Sequence, residues 1–225
     1  METINYNSVI LYIPKRYAID NLLQRFKTNS YEKEEVELLS FFNESHTILE
    51  LGACLGYLSI LLSRKVKEIY SVEANPELME SLEKTKESNK SKNLFLYNCI
   101  VDKEISSKQF YTYDLIVAGS SDRSDYNNNG WQNSMKKYTI PCKSIDTFSN
   151  TINSLVIDIE GGELDFFQQN KEYIKKNIEL ILVELHGRFM SDKNFNEKCI
   201  YLLKESGFLI IKIIGSTYLF KKVSE

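Results

Sequence analysis

The chain has 225 residues, of which 43% are apolar and 26% charged, and this composition is typical of a globular domain with one sizeable core. A formal net charge of −3 argues against nucleic-acid binding through a basic surface, because coating phosphates needs an excess of Lys and Arg. Three further features favour a cytoplasmic protein. The apolar runs are too short to span a bilayer, and the N-terminus lacks the apolar core of a signal peptide. The four cysteines form no Cys-x-x-Cys motif.

The predicted elements begin with helix. Apolar residues at helical spacing predict helix over residues 14–42, and we interpret residues 1–45 as an N-terminal helical segment packed on the core. Residues 46–225 form the main domain in this interpretation. The sequence shows neither an internal repeat nor an interdomain linker, so we expect one domain overall.

From residue 46 onward, short apolar runs alternate with amphipathic helices. The predicted strands are residues 47–51, 68–73, 93–101, 108–113, 115–118, 137–141, 154–159, 179–185, 208–214 and 218–223. The predicted helices are residues 55–65, 76–87, 162–175 and 194–206, and the polar residues 120–135 are predicted to form a loop. Continuous Val, Ile and Leu runs separated by helices predict an α/β fold. We expect a mostly parallel sheet of the seven-stranded type, with helices on both faces and an antiparallel hairpin at one edge.

Two glycines mark the turn that follows the first of these strands. Its sequence is Glu50-Leu51-Gly52-Ala53-Cys54-Leu55-Gly56. A nucleotide-like group usually lies against this turn in a parallel sheet. We expect Gly52 to let a cofactor approach the backbone and Gly56 to let the following helix pack closely. Glu73 ends the next strand, where a carboxylate can accept both hydroxyl hydrogens of an adenosine ribose.

The glycine spacing separates the possible cofactors. A dinucleotide site favours a glycine at the middle position, which here is Cys54, and Glu50 adds negative charge before the turn. Both features disfavour a pyrophosphate and suit the cationic sulfonium of S-adenosylmethionine (SAM), so an NAD-dependent oxidoreductase is the weaker hypothesis. The other interpretation is that both glycines are ordinary turn residues. The expected cofactor-binding residues are Glu50, Gly52, Ala53, Gly56, Glu73 and, at the adenine, Asn98, with Asp102 as the alternative to Asn98.

Three carboxylates, Asp158, Glu160 and Glu163, lie at the end of a later strand. The helix dipole stabilises an acid in the first turn of a helix by about 0.3–1 kcal/mol, which is enough to explain Glu163. Asp158 is expected closer to the transferable methyl group, because its strand should adjoin the first one. The next strand ends near Glu184 and His186, and a histidine there is either a general base or a structural residue.

These motifs resemble those of the FkbM-type methyltransferases over residues 35–214. The glycine motif of that family is similar to residues 50–56, and its Asp-x-Glu-Gly-x-Glu motif is similar to residues 158–163. A Thr-Leu-Asp element of the family is echoed by residues 144–146. Cys54 and Val156 depart from the family, which usually has Asn and Lys there, so the roles of those two residues are not transferred. The resemblance implies a Rossmann-like class I methyltransferase fold, with residues 46–225 as a SAM-binding domain, and usually O-methylation of a sugar or natural-product hydroxyl.

Methyl transfer to a hydroxyl needs an aligned acceptor and a base that removes its proton. We expect His186 or Asp158 to be the base, with Glu160 and Glu184 orienting it or binding acceptor hydroxyls. A divalent metal such as Mg²⁺ could instead be held by Asp158, Glu184 and His186. The expected acceptor is a sugar, a glycan or a glycosylated small molecule. An N-methyltransferase, another small-molecule methyltransferase and a non-catalytic SAM-binding or assembly protein are the alternatives.

Three other residues lie outside these motifs. Tyr126 and Trp131, on the predicted polar loop, either stack on a sugar face or anchor the loop to the body. His46, the only other histidine, is expected at the surface.

Overall fold

The computed structural model of the chain describes residues 1–103, 106–112 and 135–223. Its strands are β1 (Glu2–Tyr6), β2 (Val9–Ile13), β3 (Thr47–Leu51), β4 (Glu68–Glu73), β5 (Leu94–Asn98), β6 (Ile100–Val101), β7 (Ser107–Thr112), β8 (Lys136–Lys143), β9 (Ser154–Ile157), β10 (Leu180–Glu184), β11 (Phe208–Ile214) and β12 (Thr217–Lys222). Its α-helices are α1 (Asp20–Lys27), α2 (Lys33–Leu38), α3 (Tyr57–Ser63), α4 (Met79–Ser88), α5 (Glu163–Asn177) and α6 (Phe195–Glu205). Short 3₁₀ turns lie at Lys15–Tyr17, Leu39–Phe41, Pro76–Leu78, Ile145–Thr147 and Gly187–Phe189.

A seven-stranded sheet forms the centre of the molecule, in the order β11-β12-β10-β9-β3-β4-β5. The pairs from β10 to β5 are parallel, whereas β12 is antiparallel to both of its neighbours, β10 and β11. Parallel strands need crossover connections, and α3, α4 and α5 provide them. The predicted mostly parallel sheet with an antiparallel edge hairpin is confirmed.

Neighbouring residues of each central strand face opposite sides of the sheet, as the pleat requires. In β3, Ile48 packs in a buried cluster that includes side chains of α1 to α4. Leu49, the next residue, packs instead in a second cluster with side chains of α5 and α6. Helices therefore cover both faces of the sheet, as predicted.

The first 45 residues differ from the expected helical segment. Residues 2–13 form the antiparallel hairpin β1–β2, and its turn residues Asn7 and Ser8 both have positive φ, as a two-residue hairpin turn requires. The expected helix over residues 14–42 is divided into α1 and α2. Local periodicity failed here because β2 is stabilised by packing against α3 and α4, far away in the chain. The domain division at residue 46 stays a prediction.

Three further strands form a small sheet in the order β6-β8-β7. The predicted strand at 93–101 is divided, since β5 stays in the central sheet while β6 pairs with β8. The predicted strand at 115–118 and the loop residues Tyr126 and Trp131 lie outside the described residues. Among the helices that the structure describes, none is long and apolar enough to cross a membrane.

Candidate functional site

An open cleft with an empty volume of about 1070 Å³ lies at the carboxyl ends of β3, β4 and β9. Its lining includes Gly52, Cys54, Glu73, Asp102, Asp158 and Glu160. Ligands of parallel sheets usually bind at this edge. The cleft therefore brings together the predicted cofactor turn and the predicted acidic strand end.

The turn after β3 is held by the strands on both of its sides. The amides of Gly52 and Ala53 donate to the carbonyl of Val72 in β4, at 2.9 and 3.1 Å. A Cβ on Gly52, whose φ is +89°, would lie 1.7 Å from the carbonyl oxygen of Asp158. Glycine is therefore required because the end of β9 approaches the turn, whereas we expected the cofactor to require it.

Gly56 has a left-handed conformation (φ +79°) just before α3. A Cβ there would lie 2.9 Å from Cδ2 of Leu82 in α4. The absence of a side chain thus lets α3 pack closely on α4. Gly56 supports the turn in this way and is not among the residues that line the cleft.

Glu50 is buried beneath the turn. Its carboxylate accepts hydrogen bonds from Ser59 of α3, at 2.5 Å, and from Ser71 of β4. Burial raises the pKa of Glu50 to about 6, although the two hydroxyls act to lower it. Glu50 and Ala53 line a smaller cavity behind the turn and are not among the residues that line the main cleft. The role that the structure gives Glu50 is to join α3 to β4, in place of the expected direct cofactor contact.

Glu73 ends β4 and faces the cleft with a carboxylate that is already partly bonded. The amide of Cys54 donates to its Oε2 at 2.8 Å, and the amide of Asn75 donates to its Oε1 at 2.6 Å. Burial raises the pKa of Glu73, while these amides lower it. Because each carboxylate oxygen accepts more than one hydrogen bond, both oxygens keep capacity for a pair of hydroxyl groups.

Asn98 is not among the cleft residues, contrary to the expected adenine contact. Its side-chain amide donates to the carbonyls of Glu73 (2.8 Å) and Ala74 (3.2 Å), so it fixes the turn after β4. The alternative residue, Asp102, is buried and does line the cleft. Gln169 of α5 donates to Asp102 at 3.3 Å, and its own Oε1 is buried without a hydrogen-bond partner among the described residues. This end of the cleft therefore offers acceptors for a ligand amino group.

His186 lies among carboxylates and is only 3% exposed. Its Nδ1 is 2.9 Å from Oε1 of Glu163, and its Nε2 is 3.5 Å from both Oδ1 of Asp158 and Oε2 of Glu160. Burial acts to lower the pKa of the imidazole, but the hydrogen bond to Glu163 and the charges of Asp158 and Glu160 raise it to about 10. His186 is not among the residues that line the cleft, which disagrees with its expected role as a base touching the acceptor.

Asp158 and Glu160 follow β9 and do line the cleft. Positive φ at Glu160 (51°) and Gly161 (102°) makes the chain turn sharply here, before α5 begins. Oδ1 of Asp158 is buried and has no hydrogen-bond partner among the described residues. Burial and the charge of Glu160 raise the pKa of Asp158 well above its ordinary value, although His186 acts to lower it. Asp158 thus lines the cleft, while its buried Oδ1 faces Nε2 of His186.

Glu184 lies near the same nitrogen of His186 as Asp158 and Glu160, but farther away. It accepts a hydrogen bond from Oγ of Ser216 at 2.8 Å and lies 3.8 Å from Nε2 of the histidine. The side chains whose ligand atoms lie within 4.8 Å of one another are Asp158, Glu160 and His186. The side chains that converge thus include Glu160 rather than the expected Glu184, and metal binding stays a prediction.

Glu32 is a cleft residue that the sequence analysis did not identify. It lies between α1 and α2 in a left-handed conformation (φ 51°). Burial, together with the charge of Glu35, raises its pKa to about 8. No local pattern marks Glu32, since packing of the N-terminal segment brings it to the cleft. His46 is also corrected: it is buried rather than exposed, and the amide of Asn43 donates to its Nδ1 at 3.0 Å.

One protein family matches this chain in sequence. The model of the family described as the methyltransferase FkbM domain matches residues 50–210, which include the glycine turn, Glu73 and the acidic strand end. A comparison with curated proteins found no significant match.

Several solved structures share the fold at low sequence identity. Precorrin-6y C5,15-methyltransferase from Geobacter metallireducens is 13% identical, with a TM-score of 0.50, over 84% of this chain and 86% of that chain. Trm5b from Pyrococcus abyssi is 12% identical, with a TM-score of 0.48, over 97% of this chain and 53% of that chain. This chain therefore spans about half of the archaeal protein. At such identity the likeness to the first structure indicates the fold alone.

Proposed function

Since this chain belongs to the FkbM methyltransferase family and is a SAM-dependent methyltransferase, we propose that its acceptor is a hydroxyl group of a sugar, a glycan or a glycosylated small molecule. The observation that carries the proposal is the position of Asp158. This carboxylate adjoins Gly52 in the cofactor turn and lines the same cleft as Glu73. A proton acceptor beside the donor suits a hydroxyl, which is a poor nucleophile until it loses its proton.

The cleft residues fit SAM at its nucleoside end. Both oxygens of Glu73 can accept further hydrogen bonds, as two ribose hydroxyls would donate. Asp102 and the unpartnered Oε1 of Gln169 would accept from the adenine amino group. The methionine part would then extend toward the turn at Cys54 and toward Asp158. When bound, SAM supplies an electrophilic methyl group.

In this proposal, Asp158 accepts the proton of the acceptor hydroxyl and Glu160 orients the acceptor. Both side chains line the cleft, whereas the ring of His186 is buried behind them and its Nδ1 is bonded to Glu163. His186 is therefore a positioning residue in this arrangement. Alignment of acceptor and donor is the main contribution of the protein, since effective molarity lowers such barriers by several kcal/mol.

We also propose that the protein works in a reducing compartment such as the cytoplasm. Cys54, Cys99, Cys142 and Cys199 are all free thiols. Proteins of oxidising compartments commonly pair their cysteines in disulfides.

Two measurements test the proposed function. SAM binding is measured by calorimetry, and labelled SAM is then incubated with a panel of glycans and glycosylated small molecules, followed by mass spectrometry of the products. We expect labelled methyl groups on hydroxyl oxygens with the wild type. Asp158→Asn should lower turnover by about 10²–10⁴-fold at nearly unchanged SAM affinity, and the exposed Asp146→Asn should not. Labelling of amines alone would reject the acceptor class, and absence of SAM binding would reject the donor site.

A further inference from the structure

Three side chains from two neighbouring strand ends converge behind the acceptor end of the cleft. Asp158 and Glu160 follow β9, and His186 follows β10. One ligand atom from each residue lies within 4.8 Å of the other two. The distances from Nε2 of His186 to the nearest oxygens of Asp158 and Glu160 are both 3.5 Å, longer than the 2.7–3.2 Å usual for an N–H···O hydrogen bond. The three side chains therefore converge, but both distances from Nε2 of His186 are too long for an ordinary hydrogen bond.

One buried oxygen of this cluster, Oδ1 of Asp158, has no hydrogen-bond partner among the described residues. The side chain of His186 is only 4% exposed, and the one hydrogen bond that the described part of the chain gives it is at Nδ1. Its Nε2 is directed at the two carboxylates. Buried polar groups are normally paired, since an unpaired one costs about 1–3 kcal/mol. Oδ1 of Asp158 and Nε2 of His186 therefore face each other at a distance that suits two ligands of one ion.

Glu163 determines which nitrogen of the histidine faces this gap. It is fully buried, and its Oε1 lies 2.9 Å from Nδ1 of His186. In the neutral imidazole, a proton on Nδ1 donates to this carboxylate and leaves the lone pair of Nε2 facing Asp158 and Glu160. Histidines that bind metal commonly have their second nitrogen held by a carboxylate in this way.

We propose that Asp158, Glu160 and His186 bind one divalent first-row transition ion, with Glu163 holding the histidine from outside the coordination shell. The imidazole ligand is the reason that such an ion is preferred to Mg²⁺, which favours oxygen ligands and retains most of its water. The inference rests on the proposed function in placing the ion at the acceptor end of the cleft. There it would lower the pKa of a coordinated hydroxyl.

Mn²⁺ is the probe for the test, because the electron paramagnetic resonance signal of the free ion is lost on binding. Titration of the wild type with MnCl₂, without SAM, should show one bound ion, and excess Mg²⁺ should displace it only weakly. Asp158→Asn and Glu160→Gln should abolish binding. Glu163→Gln should weaken it by about 10–100-fold, as loss of an outer carboxylate typically does. Asp146→Asn is the control and should keep the wild-type affinity, since Asp146 is exposed and is not part of the converging set.

Each alternative has a distinct outcome. A protonated His186 held among the carboxylates, with no ion, predicts no Mn²⁺ binding, and that result would overturn the proposal. Equal Mn²⁺ affinity in the wild type, Asp158→Asn and Glu160→Gln would overturn it as well. Circular dichroism checks that each variant keeps the fold, including Glu163→Gln at its buried position. SAM is titrated by calorimetry on the same samples. SAM binding without Mn²⁺ binding would reject the ion site alone. Mn²⁺ binding without SAM binding would reject the proposed SAM site alone.

Discussion

Gly52 and Asp158 contact each other through their backbones, at the point where the two halves of the site meet. A Cβ on Gly52 would lie 1.7 Å from the carbonyl oxygen of Asp158, and the amide of Asp158 donates to the carbonyl of Leu51 at 2.9 Å. The turn that we assign to the donor and the carboxylate that we assign to the acceptor are therefore fixed relative to each other by backbone alone. Alignment of this kind does not depend on flexible side chains.

Gly52→Ala should destabilise the protein by roughly 2–4 kcal/mol, because the new methyl group meets backbone and the positive φ adds strain. Urea denaturation measures the loss. Gly207→Ala is the matched control, since Gly207 has the same φ of +89° but nothing within 4 Å of an added Cβ. It should cost only the conformational penalty, about 1–2 kcal/mol. Equal losses in the two variants would contradict the role of the contact with Asp158.

Glu73→Gln should weaken SAM binding by about 10–100-fold and should also lower the free energy of unfolding by about 1–3 kcal/mol. The amide group of Gln would turn a donor toward the backbone amide of Cys54 or Asn75, which both donate to this side chain. It would also remove an acceptor from the ribose site. Calorimetry measures the affinity. Glu68→Gln, at the other end of the same strand, should bind SAM like the wild type, and a similar loss in both variants would argue against a ribose contact.

Gln169→Leu should weaken SAM binding by about tenfold, which corresponds to one hydrogen bond of about 1.4 kcal/mol. The reason is the buried Oε1, which has no partner among the described residues and would accept from the adenine. The neighbouring Gln168 is exposed on the same helix, so Gln168→Leu serves as the control and should bind SAM normally. If Gln169→Leu keeps full affinity, the adenine lies elsewhere in the cleft.

Glu77 should make stability depend on pH in the acid range. Burial alone acts to raise its pKa, but hydrogen bonds from Lys136, Tyr138 and Tyr17 lower it from 4.5 to about 2. A depressed pKa in the folded state stabilises the protein above pH 4.5, and this contribution is lost as the pH falls from 4.5 to 2. The difference in unfolding free energy between the wild type and Glu77→Gln should therefore shrink over that window. A difference that stays constant from pH 5 to pH 2 would contradict the depressed pKa.

Sequence patterns identified much of the central sheet because those patterns are local. Strands β3 and β4 match their predicted bounds, 47–51 and 68–73. The side chain of Asn75 caps the segment that leads into α4, since it accepts from the amide of Glu77 at 3.0 Å. These features depend on residues that are close together in the sequence.

The errors fall where distant parts of the chain meet. The hairpin β1–β2 is stabilised by helices that lie more than forty residues later. Asn98 ends β5, yet its side-chain amide donates to the carbonyls of Glu73 and Ala74 at the end of the neighbouring strand β4. Gln169 reaches the cleft from α5. A glutamine in a helix belongs to no sequence motif that would mark it as a ligand contact.

The sequence by itself determined the glycine turn, the acid at the end of β4 and the acidic motif after β9, because each is a short motif whose position relative to a strand can be read locally. Tertiary structure alone decided what these residues contact. In the folded chain, Asp158 contacts Gly52 and His186 is buried behind the carboxylates. The converging set contains Glu160 and not Glu184. The physical reason is that burial and hydrogen-bond partners arise from packing between strands that are far apart in the chain, and no local pattern records which side chain fills the space between them.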